Sequence, residues 1–159
     1  MDDLSNRLKE NIRNAVVPSP SLSKRYHFFM CYCRANYQKA NIILRLLEEQ
    51  GYVCCIGERD FVVGENVAQN IDQAIRSSEA VIFLLSKQFY ESGWCKYEIE
   101  VANSYKVFEN TRIIFLKLDD SRIPSSLIIT TEVVPWYKFK PHKELEKTGK
   151  LMKMCVDCI

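Results

Sequence analysis

Glycine is scarce in this chain, 5 in 159 residues, and the turn after the first apolar run, Cys33-Arg34-Ala35-Asn36, contains none. A fold that cradles phosphate on bare backbone needs glycine at that turn, so a nucleotide-binding fingerprint is excluded. A flavodoxin-type electron carrier is excluded with it, and the lack of acids at the end of the same run removes a phosphoacceptor receiver. Excess charge of one sign is also lacking: the net charge is +2. That balance excludes a dedicated nucleic-acid binder. Lysines do gather late, at Lys138, Lys140, Lys143, Lys147, Lys150 and Lys153, but Glu144, Glu146 and Asp157 dilute them, as on a solvated helix face. No apolar run approaches the length of a membrane span, and the start, with Asp2 and Asp3, has no apolar signal core. A soluble, cytoplasmic chain is expected. Histidine occurs only at His27 and His142, far apart, and Cys155-Val156-Asp157-Cys158 is a lone C-x-x-C. No zinc set can be assembled from these. The expectation is no metal and no bound cofactor.

Cysteine, by contrast, is plentiful and odd in number, 7 in all, with Cys31, Cys33, Cys54, Cys55 and Cys95 in or beside apolar runs. That usage fits reduced, buried thiols rather than a disulfide framework. The length allows one domain with a substantial core. Residues 1–24 stand apart as an amphipathic segment (Leu4, Leu8, Ile12 and Val16 at helical spacing) followed by the linker Pro18-Ser19-Pro20-Ser21. The folded domain is expected over 25–159.

Within that domain short apolar runs alternate with amphipathic stretches. The runs are Tyr26 to Cys33, Tyr52 to Ile56, Ala80 to Leu85, Ile113 to Leu116 and Glu132 to Val134. Between them, Ala40, Ile43, Leu44 and Leu47 mark a helix stopped by Gly51, and Val67, Ile71, Ala74 and Ile75 mark another. A third presents Trp94, Tyr97, Val101 and Tyr105 on one side, and a closing helix carries Leu145 and Met152. Continuous apolar strands alternating with helices predict an α/β fold: a flavodoxin-like, doubly wound, five-stranded parallel sheet of order 2-1-3-4-5, with helices on both faces. In such a fold ligands bind outside the carboxyl ends of the strands, here the stretches 33–38, 57–66 and 86–94. Two charged segments fall on that edge: Glu58-Arg59-Asp60-Phe61-Val62-Val63-Gly64 and Ser92-Gly93-Trp94-Cys95-Lys96-Tyr97-Glu98. In the second, Trp94 and Glu98 are one helical turn apart and share a face.

Four of these stretches together resemble the TIR domain, the Toll/interleukin-1 receptor module, over roughly residues 25 to 156. Tyr26 to Cys33 is similar to the family's aromatic-led first box, (F/Y)DAFVSY. Arg59-Asp60-Phe61-Val62-Val63-Gly64 resembles the second, RDxxPG, and Pro135-Trp136-Tyr137 the third, FW. Ser92 to Glu98 resembles S-x-W-C-x-x-E, in wording nearest to animal Toll-like receptors. Two positions depart from the pattern: His27 replaces the first-box aspartate and Val63 the second-box proline. A valine there frees φ and restores an N–H, so a more mobile loop is expected.

The resemblance implies two functions. One is signalling in innate immunity or stress through homotypic association with other TIR domains, self, adaptor or receptor, and with homo-oligomerisation on activation. The expected interface is Arg59, Asp60, Phe61, Val62, Val63 and Gly64, with Trp136. The other is hydrolysis of NAD, as substrate, at the nicotinamide–ribose bond, with Glu98 as the catalytic carboxylate and assembly completing the pocket. For that reading Trp94 lines the pocket, Tyr32 offers a stacking surface, Arg59 meets a phosphate and Ser86 a ribose hydroxyl. The plainer readings stand beside these: Glu98 paired near a helix start, Trp94 in the core, and Arg59 with Asp60 fixing the loop's shape.

Overall fold

The structure, a computed structural model, describes residues 17–109, 111–125 and 132–135. The helices expected at Leu4–Val16 and Leu145–Met152, the late lysines, the Cys155/Cys158 pair and Trp136 lie outside the described residues, as does the side chain of Trp94. Each apolar run forms a strand: β1 Tyr26–Tyr32, β2 Cys54–Ile56, β3 Ser78–Leu85, β4 Arg112–Lys117 and β5 Glu132–Val134. All pair in parallel in one sheet of order β2-β1-β3-β4-β5, the order expected from the sequence. The helices are α1 Tyr37–Glu49, α2 Gly57–Asp60, α3 Val67–Arg76, α4 Lys87–Glu91 and α5 Gly93–Glu109, with a 3-10 turn at Arg34–Asn36. The short α2 and α4 fall inside stretches that read as loops, because a single turn is too brief to show helical periodicity.

The two-residue period of a strand sorts β1 onto two cores. Phe28 and Met30 point to the side covered by Ala40, Ile43, Leu44 and Leu47 of α1. Phe29 and Cys31 point to the side covered by α3, α4 and α5 through Ile71, Ile75, Phe89, Cys95 and Ile99. On that second side Phe83 meets Phe89 and Phe115 edge-on, with centroids 6.1 and 5.9 Å apart. Removing one such buried ring costs about 3–5 kcal/mol. Two helices bury other residues than the periodicity suggests. Val67 is 48% exposed, and Asn70 is buried in its stead. In α5 the sheet-facing residues are Cys95, Ile99 and Ala102, with Tyr97, Val101 and Tyr105 half-buried at the flank.

The Pro/Ser stretch is seated on the amino-terminal edge of the sheet. Val17 packs on the α1-side core, Ser21 N–H donates to the Glu79 carboxylate at 2.7 Å, and Lys24 Nζ donates to the Arg76 carbonyl at 2.7 Å. His27 holds the centre of this contact. Its ring is 3% exposed and stands edge-on to Tyr52 at 5.3 Å. Val53 N–H donates to His27 Nδ1 at 2.9 Å, which leaves the ring proton on Nε2 to be donated to the Pro18 carbonyl at 2.7 Å. An acceptor-only aspartate, the residue of the family pattern, could not serve both neighbours.

His27→Asp is therefore expected to destabilise the fold by about 2 kcal/mol through the polar groups it strands and to speed amide exchange across 17–25 and at Val53. His27→Gln, which offers both a donor and an acceptor, recovers part of the loss. Unchanged exchange in His27→Asp would contradict the bridging role.

Candidate functional site

After β1 the chain turns one way to β2 and the other way to β3, so the loops following β1 and β3 diverge and leave a crevice at the carboxyl edge. A cleft of about 890 Å³ opens there. Cys31 and Tyr32 at the end of β1, Arg34 of the 3-10 turn and Tyr37 of α1 line one side of it, and Gly57, Glu58 and Phe61 after β2 line another. Val67 of α3 and Glu98 of α5 complete the wall. The floor is apolar, from Phe29 and Met30.

Glu98 is the chemically distinctive group. It is partly buried on the cleft wall, and loss of water pushes its carboxyl up to about 7, opposed by a hydrogen bond from Cys31. The Tyr32 phenol is pushed up to about 12 by burial, then by the nearby Glu58 and Tyr37, so it stays protonated. Burial, and then the charge of Glu98, hold the Cys31 thiol well above its ordinary range, and burial pushes Cys95 up to about 11. Neither thiol is a nucleophile at neutral pH. Among the described residues no three His, Cys, Asp or Glu side chains are grouped to hold a metal ion.

The expected site residues divide. Tyr32 and Glu98 share the cleft. Arg59 does not line it: its Nη1 pairs with Glu48 at 2.8 Å, its Nη2 donates to the Cys54 carbonyl at 2.7 Å, and its Nε donates to Asp60 at 3.2 Å. Asp60 in turn accepts from Ile56 N–H at 2.9 Å. This is the shape-fixing reading of the pair, and a guanidinium so committed is not free for a phosphate. Ser86 is corrected too. It is fully buried, its Oγ accepting from Phe89 N–H at 3.1 Å as the cap of α4 and donating to Asn36 Oδ1 at 2.6 Å. It ties the loops after β1 and β3 together instead of facing a ligand.

The loop 61–66 splits in the same way. Phe61 turns inward, its ring 5.9 Å from that of Phe29, and a Cβ at Gly57 would sit 3.1 Å from it, close enough that the ring would have to shift slightly. Val62 is held at both ends of its peptide, its N–H donating to Asn70 Oδ1 at 3.1 Å and its carbonyl accepting from Nδ2 at 3.3 Å. Beyond that clamp Val63 is 99% exposed, and Gly64 adopts φ +90°, a conformation that favours glycine. Sequence reasoning missed Arg34, Phe61 and Cys31 in the cleft, and Asn70 beneath the loop. Asn70 had a signal: it stands beside Ile71 on the apolar stripe of α3, where a buried amide must find partners.

The profile of the TIR domain family matches residues 28–152. Human Toll-like receptor 1 is 32% identical over 123 residues, which is 74% of this chain but only 16% of the receptor. The stimulator of interferon genes protein of Magallana gigas is 38% identical over 78 residues, 48% of this chain and 19% of that protein. Among solved structures, the TIR domain of the Toll-related receptor TRR-2 from Hydra magnipapillata superposes with a TM-score of 0.67 at 21% identity, over 82% of this chain and 98% of that one. A metazoan TIR-STING receptor from C. gigas gives 0.68 at 26%, over 88% and 43%. This chain thus spans about a sixth of the receptors it matches.

The raised Glu98 carboxyl has a consequence for stability. Because the folded chain keeps a proton that the unfolded chain releases, stability falls as pH rises from the ordinary carboxylic range through about 7. Glu98→Gln is expected to be more stable than the parent by about 2 kcal/mol at pH 8, with the difference shrinking towards pH 5. Denaturant unfolding at the two pH values checks this, and a gap that is absent or grows on acidification would refute the desolvated carboxyl.

Proposed function

We propose that this chain, which belongs to the TIR domain family, is a signalling module of the cell interior that works by assembling with other TIR domains, its own copies and those of receptors or adaptors. The observation that carries this reading is the loop tip. Val62 and Val63 are 54% and 99% exposed, on a loop whose base is fixed by Asn70 and by the Arg59–Asp60 pair. Exposed apolar side chains on a base already fixed bind with less entropy to lose. The loop is therefore ordered at its base by the residues that replace the constraint of the missing proline. Among the described residues no helix is long and apolar enough to cross a membrane.

A second reading, that the assembled domain hydrolyses NAD, is favoured by the state of Glu98. The scissile bond joins ribose C1′ to a cationic pyridinium nitrogen. On cleavage the electron pair leaves with nitrogen, nicotinamide departs neutral, and the ribosyl group becomes oxocarbenium-like. Water adds to C1′ and releases a proton, giving ADP-ribose. No general acid is needed for that leaving group. What helps is a carboxylate beside the developing positive charge, in a place where little water screens it, and Glu98 supplies one. Tyr32 and Phe61 offer aromatic surface for a base or ring. Arg34, exposed on the cleft rim, takes the phosphate role that Arg59 cannot.

Both readings make measurable claims. Val63→Asp should leave the melting temperature unchanged and lower the self-association constant at least about tenfold, read by sedimentation velocity. Equal association would remove the loop tip from the interface. For the enzyme, nicotinamide release from NAD by concentrated protein should rise about tenfold between pH 6 and pH 8 as Glu98 ionises, and Glu98→Gln should abolish it. Turnover retained in that variant would refute the assignment.

A further inference from the structure

We propose that Asn70 is the positioning residue for the exposed loop tip, its side-chain amide holding a turn that in the family pattern carries a proline. The functional consequence rests on the assembly reading, and the geometry is independent of it. Glu65 N–H donates to the Val62 carbonyl at 3.3 Å, which closes a four-residue turn over Val62, Val63, Gly64 and Glu65. Gly64 is the third residue of that turn, at φ +90°, as in a type II turn. Proline favours the second position of such a turn, because its ring presets φ there. In this chain Val63 occupies that position, so no ring within the turn fixes the angle.

Asn70 supplies the constraint from outside the turn. It is 6% exposed, near the start of α3. Its Oδ1 accepts from Val62 N–H at 3.1 Å, and its Nδ2 donates to the Val62 carbonyl at 3.3 Å and to the Asn66 carbonyl at 3.4 Å. Asn66 is itself fixed as the cap of α3, its Oδ1 accepting from Ala68 N–H at 2.8 Å. The two feet of the tip, Val62 and Asn66, are thus bonded to one side chain, and Val63, Gly64 and Glu65 arch between them. The contact needs a donor and an acceptor on the same side chain, which an amide provides. A carboxylate there would face two carbonyl oxygens, and an aliphatic residue would leave the Val62 N–H without its acceptor. Since Val63 is 99% exposed at the top of the arch, the seat of the turn on Asn70 sets where the tip meets a partner.

Four full-length proteins test this: the parent, Asn70→Ala, Val63→Pro and the double variant. Hydrogen exchange of the Glu65 amide, whose bond closes the turn, is followed by NMR relative to the amides of β3, and self-association by sedimentation velocity. Asn70→Ala is expected to speed Glu65 exchange about tenfold and to weaken association about tenfold. With Val63→Pro present the ring fixes φ, so the association loss caused by Asn70→Ala should shrink to about two- to fivefold, and Glu65 exchange should slow again. Asn70→Asp, which keeps the size and the acceptor and loses the donor, carries the test if the alanine protein does not fold. Glu65 exchange unmoved in Asn70→Ala, or an association loss of equal size with and without the proline, would overturn the proposal. Exchange that moves and recovers as expected while all four proteins associate equally would support the positioning and overturn the loop tip as interface alone.

Discussion

The placement of β1 between β2 and β3 is the constraint on which the carboxyl edge depends. Parallel pairing on both flanks, Phe28 with Cys54 on one side and with Ala80 on the other, forces the chain to leave β1 in one direction and later return in the other. A crevice at the divergence follows from connectivity and needs no special residue. The residues then decide what fills it. Cys31 and Tyr32 end the strand on its side, and α5 passes close enough to bring Glu98 to the same cleft.

Around this crevice, the polar side chains that a sequence reading assigns to ligands are largely spent on holding loops. Ser86 joins Asn36 to the start of α4, and Asp119 accepts from Lys87 N–H at 3.0 Å, so the loop after β4 is tied in as well. Arg59 and Asp60 close the turn after β2 on backbone groups of Cys54 and Ile56. All but the Ser86–Asn36 bond, which joins two side chains, satisfy a main-chain group. The outcome is a fixed rim with an apolar loop tip on the outside and a desolvated carboxyl on the inside. The two proposed roles, assembly and chemistry, thereby fall on different surfaces of the same edge.

The strands were legible from sequence because five buried parallel strands must be continuous apolar runs, and alternation with helices makes the sheet parallel, with 2-1-3-4-5 one of its two common orders. The position of Glu98 and Tyr32 at the carboxyl edge was legible because motif and strand end placed both there. The Arg59 pairing was one of two open readings, since a charged residue beside an acid in a loop offers no periodicity to say which way it points. Ser86 was misread for a physical reason: a serine at a strand end followed by a helix is as well suited to capping as to binding, and only the presence of α4, too short for a pattern, decides it. The histidine in place of aspartate could not be interpreted without Pro18 and Val53, which are remote from it in sequence and meet it only in the fold.

On the hydrolase reading, Glu98 gives the cleft a poorly solvated negative charge suited to a cationic ring on ribose. The most direct measurement is calorimetric binding at pH 8 of a carbocyclic NAD analogue, which keeps the pyridinium charge but cannot be cleaved, beside the same analogue with its ring reduced and uncharged. The cationic form is expected to bind at least about tenfold more tightly, and Glu98→Gln to erase the difference. Equal affinity for the two forms in the parent protein would contradict it.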